Sequence, residues 1–220
     1  MTDVVEQFTR LDACTVSDAC DALGIDAVAP GLAALWAGAA VCGRAVTVRL
    51  AEVDPENPPR TTVHLGVEAI ERSAPGDVIV VANEGRTGMG GWGGLLSRAA
   101  LRKGVAGVVV DGACRDIDEA RQQGFPVFGL AGTPRTARGR VHQVECGGVV
   151  TVAGRSVEPG DVVVADGSGV VVVPAAQAGP VLHRAEQIAA REAEMVRLLD
   201  SGLEPSGVLG GAYEDMLRRA

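Results

Sequence analysis

The segment from Gly88 to Glu119, GMGGWGGLLSRAALRKGVAGVVVDGACRDIDE, constrains the fold of this chain more than any other. It begins with a glycine cluster and ends at an Arg-Asp pair. Between them, a helix stripe is predicted from five apolar residues at helical spacing, Trp92, Leu95, Leu96, Ala99 and Ala100. The run VAGVVV (105–110) is continuously apolar, which is typical of a strand covered on both faces. The segment therefore predicts a helix followed by a buried strand.

Neighbouring segments repeat this alternation. VIVVA (78–82) predicts a buried strand before the glycine cluster, residues 116–123 predict a short helix, and residues 126–129 predict another strand. The order strand, helix, strand, helix, strand is that of parallel crossover units. The centre of the chain is therefore predicted to be α/β.

The flanking regions complete a mixed α/β architecture. Asp166-Gly167-Ser168-Gly169 predicts a hairpin turn between two valine-rich strands. The other predicted elements are helices at 3–10, 15–23 (capped by Thr15 or Ser17), 61–73, 175–201 and 212–219, and a strand within 40–53. With 220 residues, 47% of them apolar, and no evident linker, we expect one domain over residues 1–220 with a mixed sheet core.

Composition excludes several functional classes. A formal net charge of −8 disfavours nucleic-acid binding, which depends on cations that replace counterions. The sequence contains no apolar run long enough to span a bilayer, and the first residues lack the pattern of a secretory signal. Five scattered cysteines without a CxxC spacing predict reduced thiols, with Cys114 as a buried filler or a reactive neighbour of Arg115. We therefore expect a cytoplasmic protein.

The glycine cluster permits more than one interpretation. Gly93 and Gly94 open the predicted helix, whose first amides, those of Gly94, Leu95 and Leu96, are free to bind an anion. The same glycines are also consistent with a connection that merely allows tight packing. The letters Gly88-x-Gly90-x-x-Gly93 match the dinucleotide fingerprint, but they lie five residues beyond the strand, where a tight turn is expected.

The Arg115-Asp116 pair follows the strand that ends near Asp111, at the edge where α/β sheets bind ligands. Arginine presents a planar fork that suits a carboxylate and a keto oxygen. Asp116 offers a hard oxygen ligand for Mg²⁺ or Mn²⁺, although an acid at the start of a helix is also explained by the helix dipole. We expect the dipole to account for Asp118 and Glu119.

Other catalytic devices are not evident in the sequence. Lys103 is the only lysine and lies at a helix end, which disfavours a Schiff base. The three histidines, His64, His142 and His183, lack metal-ligand spacing and are expected to be structural or superficial. Carbonyl chemistry would therefore use a metal ion, and protons would move through metal-bound water.

The core segment resembles the RraA-like, or class II 4-hydroxy-4-methyl-2-oxoglutarate aldolase, family. The family signature is a glycine, twenty residues, Arg-Asp, two residues and an acid, which correspond to Gly94, Arg115, Asp116 and Glu119. Further segments follow the family order along nearly the whole chain: TVSDACDALG, CGRAVTV, APGDVIVV, GFPVFGLAGTPR, VEPGDVVVADGSGVVVVP and the REAEMV helix. The resemblance implies a layered α/β/β/α fold of the swivelling-domain type, assembled as a homotrimer or hexamer.

The resemblance also implies a site at subunit interfaces. Backbone amides of Gly93, Gly94, Leu95 and Leu96 would bind a pyruvate carboxylate, Arg115 would bind the carboxylate and keto oxygen, and Asp116 would hold Mg²⁺ or Mn²⁺. Glu192, on the 175–201 helix of a neighbouring subunit, would reach the metal through water. The implied reaction is cleavage of a C–C bond of a 2-oxo acid through a pyruvate enolate, with oxaloacetate decarboxylation as a second activity.

One departure from the family pattern keeps alternatives open. Many members carry an acid at the position of Gly94, where this chain has Gly-Gly-Leu-Leu. The family also includes a regulator that binds and inhibits RNase E without catalysis. A non-catalytic regulator of a ribonuclease or helicase, or a family member recruited to another reaction, therefore remains an alternative to the lyase.

Overall fold

The structure is a computed structural model that describes residues 3–59 and 63–210. The helices are α1 Val4–Phe8, α2 Ala13–Ala22, α3 Val67–Arg72, α4 Gly94–Lys103, α5 Ile117–Gln123, α6 Ala178–Asp200 and α7 Pro205–Val208, and a 3-10 turn, Ala175–Gln177, precedes α6. The strands are β1 Ala33–Ala34, β2 Val41–Glu52, β3 Val78–Gly90, β4 Gly107–Cys114, β5 Val127–Gly129, β6 Ala131–Gly132, β7 Val141–Cys146, β8 Val150–Val152, β9 Arg155–Val157, β10 Val162–Asp166 and β11 Gly169–Val173. Among the described residues, no helix combines the length and the apolarity needed to cross a membrane.

Within the described chain, nine strands form one mixed sheet whose main order is β1-β5-β4-β3-β2-β10-β11. β2, β3, β4 and β5 run parallel, as the crossover pattern predicts. β10 pairs antiparallel with both β2 and β11. Val28, which precedes β1, bridges Val171 of β11, so the sheet nearly closes on itself. The predicted α/β class with a mixed sheet is confirmed.

Three apolar clusters produce the layers. The interior of the curved sheet is filled by side chains such as Val80, Phe128 and Val163. One outer face packs against α3, α4 and α5, with Ile70 and Ala100 in the contact. The opposite outer face packs against α1, α2 and α6 through residues such as Phe8 and Ile188. The result is an α/β/β/α arrangement.

Several predicted elements differ in detail. The N-cap of α2 is Asp12, not Thr15 or Ser17, because the Asp12 carboxylate accepts hydrogen bonds from the Thr15 amide and hydroxyl. β3 continues through a bulged path to Gly90, eight residues beyond the end of the predicted strand 78–82. The helix predicted over 61–73 forms only at α3, and its residues 61 and 62 lie outside the described residues, as does the predicted helix 212–219.

The helix stripe on α4 is narrower than its spacing predicts. Trp92, Leu96 and Ala100 are buried, whereas Leu95 is 84% exposed and Ala99 is also exposed. Trp92 stacks on Phe125 with ring centroids 6.3 Å apart, and its indole Nε1 donates to Ser97 Oγ at 3.0 Å. Leu95 therefore belongs to the surface near the start of α4 rather than to the core.

Phe125→Ala is expected to lower the free energy of unfolding by about 3–5 kcal/mol, because it removes a fully buried ring and leaves a cavity beneath Trp92. Val149→Ala, at a side chain that is 56% exposed, should stay within about 0.5 kcal/mol of wild type. Urea unfolding of both variants measures the difference. Equal effects would show that Phe125 does not anchor the core.

Candidate active site at the carboxyl ends of β3 and β4

A pocket of about 220 Å³ lies where β3 and β4 end and α4 begins. Carboxyl ends of neighbouring parallel strands are the edge at which α/β sheets place ligand sites. The pocket is lined by His64, Leu65, Gly90, Trp92, Gly93, Gly94, Leu95, Leu96, Arg115, Asp116, Thr136, Ala137 and Arg138. Six predicted site residues are therefore brought together: Gly93, Gly94, Leu95, Leu96, Arg115 and Asp116.

The guanidinium of Arg115 lacks a partner in the described part of the chain. Its Nε is buried and makes no hydrogen bond there, and no described carboxylate forms an ion pair with it. A buried donor without an acceptor is costly, so the geometry favours an anionic ligand at this point. The aliphatic part of the side chain lies over Gly90, where an added Cβ would be 2.5 Å from Arg115 Cγ. Gly90 therefore makes room for the arginine.

Asp116 is positioned by an unusual backbone conformation. Its φ is +58°, in the left-handed region that aspartate tolerates better than most residues. This conformation precedes α5 and directs the carboxylate toward the start of α4, where Oδ2 accepts a hydrogen bond from the Gly94 amide at 2.9 Å. The Gly94 amide, predicted to bind the ligand, is therefore not free, because it already donates its hydrogen bond to Asp116.

The remaining free amides at the start of α4 belong to Leu95 and Leu96. The first amides of a helix have no partner inside the helix, and no other acceptor is found for these two within the described chain. Gly93 has an extended backbone and no side chain, so it does not block the approach of a ligand to these two amides. The pocket therefore combines an arginine fork with a helix start, and both favour an anion.

Gly94 leaves space that a neighbouring acid fills. A Cβ added at Gly94 would overlap Oε2 of Glu119 and would lie 3.1 Å from Cβ of Asp116. Glu119 is exposed and accepts a hydrogen bond from Gln123 at 2.8 Å. The carboxylate of Glu119 thus stands beside the start of α4, in the space that a side chain at position 94 would need.

The described residues offer a divalent cation only a partial set of ligands. They include no group of three or more His, Cys, Asp or Glu side chains that could hold a metal ion. Mg²⁺, however, keeps several waters and needs only one or two protein carboxylates. Asp116 is exposed at the pocket, and only its Oδ2 is engaged within the described chain. One carboxylate next to an arginine fork fits a cation whose other ligands are water and substrate oxygens.

Glu192, the other predicted metal ligand, is not part of this pocket within one chain. It lies on α6, the helix that packs with α2 on the opposite outer face. Partial burial and the nearby Asp12 and Asp18 raise the pKa of Glu192 above its ordinary value. The chain thus places Glu192 in an acidic cluster away from Arg115, and its predicted role from a neighbouring subunit stays a prediction.

Sequence reasoning missed the three polar lining residues outside the predicted set, His64, Thr136 and Arg138. His64 precedes α3, and the other two lie on the segment between β6 and β7. That segment is held to the site by the Gly90 amide, which donates to the Arg135 carbonyl at 2.9 Å. A pairing between distant loops leaves no local pattern that could have indicated them.

The structure contradicts two alternative interpretations of the sequence, a dinucleotide-binding loop and a reactive Cys114. Gly88 and Gly90 lie in the last part of β3, not in a tight strand-to-helix turn, so the dinucleotide fingerprint lacks its structural context. Cys114 is fully buried, and burial raises its thiol pKa far above the ordinary value, so it is an inert filler. All five cysteines are free thiols.

Comparison with known proteins identifies the family of the chain. Residues 13–172 match the model of the RraA-like family, described as Aldolase/RraA. DlpA of Legionella pneumophila is 29% identical over 92% of this chain, but the chain spans only 32% of that protein. A protein of Halalkalibacterium halodurans, provisionally named a 4-hydroxy-4-methyl-2-oxoglutarate aldolase, is 32% identical over 84% of this chain and 83% of its own length.

A solved structure shows the same fold. RraAS2 of Streptomyces coelicolor, described as an unusual member of the RNase ES inhibitor RraA protein family, superposes with a TM-score of 0.78 at 31% identity. The alignment covers 89% of this chain and 96% of that one. By the match of its sequence to the family model and by its fold, the chain belongs to the RraA-like (Aldolase/RraA) family.

Proposed function

We propose that this protein is a divalent-metal-dependent lyase that cleaves a C–C bond of a 2-oxo acid, with 4-hydroxy-4-methyl-2-oxoglutarate and oxaloacetate as substrates. One observation carries the proposal: Arg115, whose buried Nε has no hydrogen-bond partner among the described residues, lines the same pocket as Leu95 and Leu96, whose amides have no acceptor there either. That pairing suits an α-keto carboxylate, whose negative charge lies at one end and whose keto oxygen lies next to it. The name of the Halalkalibacterium relative supports the substrate class.

The residues of the pocket divide the work. The amides of Leu95 and Leu96 bind the substrate carboxylate, and the fork of Arg115 donates to the carboxylate and to the keto oxygen. When the C3–C4 bond breaks, its electrons move toward the keto oxygen, where Arg115 stabilises the growing negative charge. Asp116 would hold Mg²⁺ or Mn²⁺, which supplies Lewis-acid polarisation of the keto group when it is bound. Leu65, Trp92 and Leu96 form an apolar wall that limits water near the reacting carbons.

Assembly is a further part of the proposal. A homotrimer or hexamer would bring α6 of one subunit to the pocket of another, where Glu192 could contact cation-bound water. The single-chain separation of Glu192 from Arg115 is compatible with that arrangement. The exposed Leu95 at the start of α4 would then lie near the subunit boundary.

A regulatory role is the second candidate. The observation that favours it is the likeness to RraAS2, which is described as a member of an RNase inhibitor family. Such a protein would release no pyruvate with either substrate and would bind a ribonuclease or a helicase. The catalytic proposal and the regulatory one therefore differ in a single assay.

Purified protein should release pyruvate from both substrates in the presence of Mg²⁺ or Mn²⁺. Removal of the cation with a chelator should abolish release, and added cation should restore it. Each molecule of 4-hydroxy-4-methyl-2-oxoglutarate should give two molecules of pyruvate. Release that is unaffected by chelation, or no release at all, would exclude the proposal.

Gly90→Ala is expected to lower kcat/KM by roughly 10–100-fold with little loss of stability, because the new Cβ displaces Arg115. Gly88→Ala is the matched control, since a Cβ at Gly88 has no neighbour within 4 Å. Both glycines lie on β3, and neither has a positive φ. Steady-state kinetics and thermal melting of the two variants test this. Equal kinetics would mean that the position of Arg115 does not govern the reaction.

A further inference from the structure

His64 occupies a wall of the pocket, although its sequence context suggests a structural or superficial role. It lines the same cavity as Arg115 and Asp116, borders two adjoining depressions, and is exposed to solvent. Its position just before α3 places it far from the Arg-Asp pair in sequence. The structure thus adds an imidazole to the site. The sequence pattern alone indicates metal-bound water as the proton carrier.

One hydrogen bond determines the tautomer of this imidazole. His64 Nδ1 lies 2.9 Å from the carbonyl oxygen of Leu65. A carbonyl oxygen can only accept, so Nδ1 carries the hydrogen and donates it. In the neutral ring Nε2 is then unprotonated, and no described residue hydrogen-bonds to it. Nε2 is therefore available to take a proton from a ligand in the pocket.

The other ionisable side chains of the lining are less suited to that task. Arg115 and Arg138 carry guanidinium groups, which offer hydrogen-bond donors but no acceptor. The carboxylate of Asp116 accepts a hydrogen bond from the Gly94 amide and is the proposed ligand of the cation. Among the described lining residues, the imidazole of His64 is thus the side chain best suited to accept a proton and then return it, because one ring nitrogen is a donor and the other an acceptor.

We infer that His64 is a catalytic acid–base residue for aldol cleavage, an assignment that rests on the proposed function. Nε2 removes the proton from the 4-hydroxyl group of the substrate, the C3–C4 bond breaks, and C4 becomes the keto carbon of the first pyruvate. The bond electrons pass into the enolate of the second pyruvate. The protonated imidazole then returns its proton to C3, so that one substrate gives two pyruvates and His64 is restored.

Oxaloacetate separates this role from a structural one. Its decarboxylation breaks a C–C bond without prior removal of a hydroxyl proton, and solvent can protonate the resulting enolate. His64→Asn should therefore lower aldol cleavage by about 10²–10⁴-fold, the range of general acid–base catalysis. Decarboxylation by the same variant should stay within a few-fold of wild type, which also reports that the pocket is intact.

Two further arms complete the experiment. Added imidazole should restore part of the aldolase activity of His64→Asn. His183→Asn should retain wild-type rates, since His183 is exposed on α6, contacts Gln187 and lies outside the pocket. The affinity of both variants for pyruvate, measured by titration calorimetry with Mg²⁺, should match that of wild type.

The outcomes are distinguishable. Equal loss of both activities in His64→Asn, or unchanged aldol cleavage, would overturn the role of His64 while the proposed lyase function stands. A wild-type protein that acts on oxaloacetate but not on the hydroxy acid would also overturn it. Failure of wild type with both substrates would overturn the proposed function and this assignment together.

Discussion

Arg115→Lys should lower kcat/KM for 4-hydroxy-4-methyl-2-oxoglutarate by about 10²–10³-fold, the cost of removing one donor to a developing oxyanion. Lysine keeps the positive charge but loses the planar fork that can hold a carboxylate and a keto oxygen together. The effect should fall mainly on kcat, because the donor contributes more as charge moves onto the keto oxygen. Steady-state measurement of pyruvate release gives both constants.

Arg98→Lys is the control for a general effect of the substitution. Arg98 is exposed on α4 and does not line the pocket, so its variant should behave as wild type. An Arg115→Lys variant with wild-type kcat/KM would remove the arginine fork from the mechanism. Equal losses in both variants would show that the effect is not specific to the pocket and would overturn the role given to Arg115.

Asp116→Asn should weaken Mn²⁺ binding and lower turnover by about 10²–10³-fold, which corresponds to several kcal/mol of lost charge stabilisation. The amide retains an oxygen that can accept from the Gly94 N–H, so the start of α4 should stay in place. The neutral side chain, however, is a poor ligand for a hard cation. Electron paramagnetic resonance of free Mn²⁺ measures the affinity independently of catalysis.

Asp118→Asn is the matched control for this second variant. Asp118 lies in the first turn of α5, two residues beyond Asp116, is exposed and does not line the pocket. Its variant should bind Mn²⁺ as wild type does. Undiminished Mn²⁺ affinity in Asp116→Asn would place the cation elsewhere.

The central layers of the fold could be predicted from local pattern. VIVVA and VAGVVV are buried strands because β-branched runs without polar interruption fit only a sheet covered on both faces. The helix between them was recognisable from its spacing and from Gly104, which ends it with a φ of +86°. The exposure of Leu95 was not predictable, since helical spacing does not indicate that the start of α4 borders a pocket and is not covered by the core.

The part of the candidate site formed by β4 and α4 could also be predicted, whereas the part contributed by the segments before α3 and before β7 could not. Arg115 and Asp116 directly follow a buried parallel strand, and Gly93 and Gly94 open the helix beside it, so general rules for α/β sheets place them together. His64 and Arg138 come from segments whose positions depend on long-range pairing, such as that of β2 with β7. The proposed approach of Glu192 to the pocket requires a second subunit, and sequence periodicity does not indicate how subunits would assemble.

A crystal structure of the protein with Mg²⁺ and pyruvate tests the central claim most directly. We expect pyruvate in the pocket of Arg115, with its carboxylate against the amides of Leu95 and Leu96 and a cation on Asp116. Pyruvate bound elsewhere, or a pocket that stays empty at saturating pyruvate and Mg²⁺, would contradict it.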